Sequence, residues 1–220
     1  MILKLKDYLN YKWDPNEFLI SKWHKVTNDK GEIGPDVDRP IPRGRDFAIH
    51  KPQKINRFKF DLTNKKKDIL CFCSFSLNTA RIHRTKIYKE IKDKKFITFG
   101  KIFPKWTLEK SPSLNLDFLK KLKRSKFCIS PQGNGVDCFR NWDALYEKCI
   151  PIVPPSKIMK RYSGLPIIFI DDYHSLSSDF LNKKYKEMLD VEYDFSKLKQ
   201  SYWLSKYSKN KLESWGLSID

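Results

Sequence analysis

The amino-acid sequence predicts an α/β protein: a parallel sheet with helices on both faces, preceded by a short irregular segment. Three observations carry this expectation. From Lys67 onward, apolar runs of strand length alternate with amphipathic runs of helical period. The alternation has the interval of strand–helix–strand units, whose crossovers make neighbouring strands parallel. Residues 1–66 break the rhythm, because proline and glycine gather there in a stretch that neither helix nor strand tolerates.

Two segments follow from this, residues 1–66 and 67–220. In the first, the aromatic-rich stretches Tyr8–Trp13 and Phe18–Trp23 suit short helices. Next comes NDKGEIGPDVDRPIPRGRDFAIHKPQK, which holds Pro35, Pro40, Pro42 and Pro52 of the chain's 12 prolines. A long, irregular, basic loop is expected there, of the kind that often carries function. In the second segment, DILCFCSFS (68–76) reads as a buried strand. RIHRTKIYKEIK (81–92) reads as a helix, with Ile87, Tyr88 and Ile91 at helical spacing. KFITFG (95–100) is a strand, and LNLDFLKKLKRS (114–125) a helix with Leu114, Phe118, Leu119 and Leu122 on one stripe. KFCIS (126–130), CIPIV (149–153) and LPIIFID (165–171) are strands, while VDCFRNWDALYEK (136–148) and SKIMKRY (156–162) are helices. The remainder, from Ser175, reads as mostly helical and basic.

A chain of 220 residues, 40% apolar and 14% aromatic, can bury a substantial core, so disorder over most of its length is not expected. No run approaches the roughly 18 apolar residues of a membrane span. The start, MILKLKDYLNYKW, lacks the apolar core and cleavage site of a secretory signal. A cytoplasmic location is therefore expected, that of a host cell if the source is a virus. The formal net charge of +18 attracts anions: nucleotides, nucleic acid, acidic glycans or an anionic bilayer. A lysine-rich surface is equally a route to solubility, so charge alone selects no partner. The five cysteines (Cys71, Cys73, Cys128, Cys138, Cys149) are odd in number and lack zinc-site spacing. Buried, reduced thiols are expected, and no metal site.

The chemistry concentrates in SPQGNG (130–135). In open parallel sheets, ligands sit beyond the carboxyl ends of the strands, and this loop follows such an end. Gly133 and Gly135 lack a β-carbon, so backbone amides there can approach a ligand. A helix starting near Val136–Asp137 offers free N–H groups and a dipole that favours an anion. Ser130, Gln132 and Asn134 add side-chain hydrogen bonds, and Arg140 stands one turn into the helix as a fixed cation. Asp143 is placed to take the two hydroxyls of a ribose, or to pair with Arg140 within the helix. An Asn-Gly pair also suits a plain turn, and Asp137 a plain helix cap. After the first strand, Asn78, Thr79, Arg81 and Arg84 face the same crevice, where arginines from two sites can grip a diphosphate from both sides. Asp171, Asp172 and Tyr173 follow the last strand; the acidic pair is placed to cap the helix beyond it, to touch a sugar or to bind a cation.

FCISPQGNGVDCFRNWDALYEKCIPIVPPS, followed by YSGLPIIFIDDY, resembles the donor-binding half of exostosin-like glycosyltransferases, in the compact form found in large DNA viruses and bacterial glycan clusters. The family pattern reads approximately S-P-x-G-N-G-x-D-x-H-R-x-W-E-A-L, then G-C-I-P-I-V, then an aliphatic strand ending in D-D. FCSFSLNTARIHR looks like its first donor-domain strand and Arg-bearing loop. The resemblance covers residues 68–175. It implies a Rossmann-like sheet, the donor half of a GT-B fold, that binds a nucleotide-sugar, most often a UDP-sugar, without a catalytic metal. By position, Asp137 and Arg140 match the family's D and R, and Asp143 its E. Phe139 stands where the pattern has His, and Lys148 where it has Gly.

Three functions follow as expectations. The first is a glycosyltransferase that moves a sugar from a nucleotide-sugar to a glycan or glycoprotein hydroxyl. Arg84 and Arg140 would neutralise the leaving diphosphate, and the basic loop would supply the base from Asp36, Asp38, Asp46 or His50. The second is a non-catalytic binder of nucleic acid or anionic glycan, using the aromatic–basic stretches YKWDPNEFLISKWHK and KLKQSYWLSKYSKNK. Those aromatics are better explained by helix packing, so no specific nucleic acid is expected. The third is a nucleotide-sugar-binding remnant without turnover. Peripheral contact with an anionic membrane through the basic C-terminal helices accords with the charge.

Overall fold

The computed structural model describes residues 1–14, 17, 66–100, 102, 112–133 and 135–214. β2 (Ile69–Cys73), β3 (Ile97–Phe99), β4 (Ser125–Ile129), β5 (Ile150–Val153) and β6 (Ile168–Phe169) form one sheet in the order β3-β2-β4-β5-β6, with every pairing parallel. The connecting helices are α2 (Arg81–Ile91), α3 (Pro112–Arg124), α4 (Phe139–Tyr146) and the single turn α5 (Lys157–Lys160); α6 (Ser178–Leu189) follows β6. This is the doubly wound, Rossmann-like α/β fold. The chain leaves β2 for one side of the sheet and returns to β4 on the other, so the topological switch point lies between β2 and β4.

Register explains why the strands are apolar on both faces. Cys71 stands opposite Phe127 and Cys73 opposite Ile129, while Phe127 and Ile129 stand opposite Ile150 and Ile152. Residues in register share a face. These six belong to one apolar cluster with Ile87 and Ile91 of α2 and Leu181 and Met188 of α6. Phe72 and Cys128 point the other way and cluster with Leu122 of α3 and Ala144 of α4. Cys71, Cys73, Cys128 and Cys149 are buried free thiols, as their apolar surroundings in the sequence led one to expect.

Within residues 67–220, three elements differ most from the sequence expectation. The helix expected over 136–148 begins only at Phe139, because Cys138 keeps an extended backbone (φ −120°, ψ 151°), and it stops where Lys148 turns left-handed (φ 60°). The strand expected over 165–171 contracts to two residues. Leu165 bridges to Ser163, and Ile167 N–H turns back to Leu165 C=O (2.8 Å), which uses up the start of the run. The C-terminal part is not uniformly helical. After α6 come β7 (Glu192–Asp194) and a 3-10 turn, Phe195–Leu198, before α7 (Gln200–Leu204) and α8 (Lys209–Ser214).

The extra strand has a partner at the amino terminus. β1 (Ile2–Lys4) pairs antiparallel with β7, and α1 (Leu5–Tyr8) follows it, ending earlier than the helix expected over Tyr8–Trp13. The Tyr8 ring stacks on Phe195 at 3.7 Å, and its hydroxyl donates to Leu145 C=O (2.9 Å). Trp13 Nε1 donates to the same hydroxyl (2.9 Å), and the indole meets Tyr146 edge-on. Leu5, Tyr8 and Trp13 thereby share one core with α4 and the C-terminal segment. The Phe18–Trp23 stretch and the proline-rich loop lie outside the described residues.

Candidate functional site

Two loops border the switch point. The first leaves β2 at Ser74 and enters α2 through Ala80, a non-glycine residue in the left-handed region (φ 48°, ψ 50°). That conformation costs on the order of 1 kcal/mol and is characteristic of functional loops. The second is Ser130–Cys138. Arg84, 5% exposed, ties them together: its Nε donates to Gln132 C=O (2.7 Å) and its Nη1 to Ser76 C=O (2.8 Å). Gly133 is small because of this strut. A β-carbon there would sit 3.3 Å from Arg84 Nη2. The Gly133 amide is itself occupied by Gly135 C=O (3.0 Å). Gly133 thus accommodates a guanidinium, and its N–H is not presented to a ligand.

Arg140 lies in the first turn of α4. Its guanidinium carbon is 5.9 Å from the centre of the Phe75 ring, against which Arg84 also packs at 5.6 Å. Burial and the charge of Arg140 lower the Arg84 pKa from 12.5 to about 10, so Arg84 remains cationic at neutral pH. Arg140 Nε and Nη1 are buried and have no hydrogen-bond partner. A buried, unsatisfied charged donor is expensive, and an anion is the simplest group that would satisfy it. The Cys138 side chain makes no N-cap bond to the amides of α4. The crevice therefore presents unsatisfied cationic donors, which suit phosphate or carboxylate oxygens.

The other predicted residues divide. Asn78 and Arg81 are exposed on the first loop and the start of α2, and the Asn78 amide bonds Ser76 Oγ (3.3 Å). Ser130 is buried, and its hydroxyl donates to Asn141 Oδ1 (2.6 Å); Asn141 Nδ2 continues the chain to Met159 Sδ (3.7 Å). Asp137 accepts from Trp142 Nε1 (2.7 Å) and Tyr162 Oη (3.0 Å), so its carboxylate fastens the loop to α4 and to the turn after α5. It does not stand at the N-cap of α4, a position that Cys138 holds. Asp143 is buried at 2% exposure. Asp172 folds into a local turn, accepting from the His174 amide (2.9 Å), while Ser177 caps α6; capping by the acidic pair is not what the structure has. Asn134 and the base candidates Asp36, Asp38, Asp46 and His50 lie outside the described residues.

Sequence reasoning missed Phe75 and Asn141. Phe75 and Asn141 sit beside the motif residues, yet an apolar ring and an amide carry no motif of their own. Among the described residues, no group of three or more His, Cys, Asp or Glu is placed to hold a metal ion, and no helix is long and apolar enough to cross a membrane. Neither a family model nor a curated protein matches this chain.

Proposed function

We propose that the chain is a glycosyltransferase whose switch-point crevice holds the diphosphate of a nucleotide-sugar, probed first with UDP-sugars. The observation that carries this is Arg140: a guanidinium with two buried, unpartnered nitrogens at the carboxyl edge of a Rossmann-like sheet, 5.9 Å from a ring it shares with a second arginine. In transfer, the bond from the donor's anomeric carbon to the diphosphate oxygen breaks. The acceptor hydroxyl of a glycan or glycoprotein forms the new glycosidic bond and yields its proton to a base. Negative charge grows on the departing diphosphate, and donors already fixed there stabilise it without reorganisation. Arg140 would contact that charge directly. Arg84 would contribute its field while holding the two loops at the right separation, because two of its nitrogens already serve loop carbonyls.

The burial of Trp13 and Trp203 weighs against the nucleic-acid alternative, since bases need exposed rings on which to stack. Calorimetry with UDP, GDP and their sugars, together with an assay for nucleotide released in the presence of sugar acceptors, tests the proposal. Arg140→Ala should lower turnover by about 10²–10³-fold. It should leave the melting temperature unchanged or raised, because two buried, unsatisfied donors are removed. Near-normal turnover in that variant would overturn the assignment. Nucleotide binding without release by the wild type would reduce the protein to a donor-binding remnant.

A further inference from the structure

Over residues 154–163 and 195–212 the sequence has neither Asp nor Glu, and the structure brings these two stretches together. Trp203 Nε1 donates to Lys197 C=O (2.7 Å), and the Lys197 ammonium donates to Ser163 C=O. The Tyr162 and Trp203 rings meet edge-on at 6.1 Å. Arg161 lies against both, 5.7 Å from the centre of Tyr162 and 5.3 Å from that of Trp203. From the second stretch, Lys206 lies 4.5 Å from the centre of Tyr202 and 5.4 Å from that of Trp203. Lys157, Lys160 and Arg161 are spaced i, i+3 and i+4, so the turn α5 carries them on one side. Lys157, Lys160 and Lys206 are exposed. A strip of cations thus runs from α5 across Trp203 to the turn after α7. Lys199 and Lys209 have acidic partners, Glu17 and Glu213, and stand outside it.

We propose that this strip docks the protein on an anionic lipid surface. Charge complementarity is the first reason: a leaflet of acidic headgroups is a plane of negative charge, and each cation brought to it adds attraction. Preorganisation is the second. Arg161 and Lys206 are already held against aromatic rings, so they lose less side-chain freedom on contact than free surface lysines do. The same rings disfavour nucleic acid, because Tyr162 and Trp203 are 1% and 3% exposed and offer no face on which a base can stack. No helix among the described residues is long and apolar enough to cross a bilayer, so the contact assigned to this strip is peripheral, and salt weakens it. The strip adjoins the crevice loop through Tyr162, whose hydroxyl donates to Asp137 (3.0 Å). Docking does not depend on the nucleotide-sugar reading.

Cosedimentation of the full chain with vesicles tests this, using phosphatidylcholine alone and an equal mixture of phosphatidylcholine and phosphatidylserine. The wild type should bind the mixture, ignore the neutral vesicles and dissociate as salt rises. The charge reversal Lys157→Glu/Lys160→Glu/Lys206→Glu should weaken binding on the order of 10²-fold. A control of identical net charge, Lys89→Glu/Lys183→Glu/Lys186→Glu on α2 and α6, should change it only a few-fold. Equal losses in the two variants would show that overall charge does the binding, and would overturn the proposal. So would wild-type binding that is absent or equally strong on neutral vesicles. Duplex DNA serves as the competing probe: a strip variant that loses DNA but keeps the vesicles would assign the strip to nucleic acid instead. If the triple variant fails to fold, Lys157→Glu/Lys160→Glu makes the same comparison from exposed positions of α5 alone.

Discussion

At the scale of single residues, the loop's chemistry is divided between groups that hold it and a group left unsatisfied. Arg84, Ser130 and Asp137 hold: each has its partners within the protein. Arg140 is the one whose buried nitrogens are open. A different kind of residue-scale feature is Lys148, which has φ 60° at the end of α4. A β-carbon in that conformation is strained, while glycine adopts it freely. Lys148→Gly should stabilise the fold by about 0.5–1 kcal/mol, the relief of strain being partly offset by the looser unfolded chain. Urea unfolding would check this, and a lower midpoint would contradict it. The positive φ was not legible in the sequence, because lysine itself gives no sign of it.

At the scale of elements, the five parallel strands and the helices between them were legible because each carries its own pattern. Apolar runs bounded by polar ones fix β2, β4 and β5, and the stripe ending in Leu122 fixes α3. β1 and β7 were not legible. Their three residues each, Ile2–Lys4 and Glu192–Asp194, have no strand pattern and pair only because the amino-terminal segment meets the stretch after α6. What brings them together is Tyr8, whose ring covers Phe195 and whose hydroxyl bridges Trp13 and Leu145. Tyr8→Ala should destabilise the protein by roughly 3–5 kcal/mol, the range for truncating a large buried aromatic. Near-UV circular dichroism and denaturant midpoints would measure it. A loss below about 1 kcal/mol would show that β1 and α1 are dispensable to the core.

At the scale of the whole molecule, burial sets an unusual pH dependence. Burial lowers Lys67 from 10.5 to about 8, and Lys148 likewise to about 8. A lysine depressed in the folded state costs stability while both states are protonated, below about pH 8, and that cost is relieved as pH rises toward 10.5. The thiols act in the opposite direction. Cys73 and Cys149 are pushed up to about 12 by burial, and Cys71 and Cys128 are raised well above 9.0. Their contribution is complete below the unfolded value and is lost as pH climbs past 9.0. The two trends cross, so stability should peak near about pH 9 under reducing conditions. Urea midpoints at several pH values from neutral to strongly alkaline would show the peak; a steady decline from neutral pH would contradict it.

The sequence by itself determined the α/β class, the order of the central elements and the two loops that border the switch point, because strand and helix periodicity, turn residues and charge are local properties. Only the tertiary structure decided what those residues do. It turned Arg84 into a strut between carbonyls 48 and 8 residues away, drew Asp137 to Trp142 and Tyr162, and left two nitrogens of Arg140 and the Tyr173 hydroxyl buried without hydrogen-bond partners. Hydrogen-bond satisfaction depends on which groups meet in space, and no local pattern encodes it.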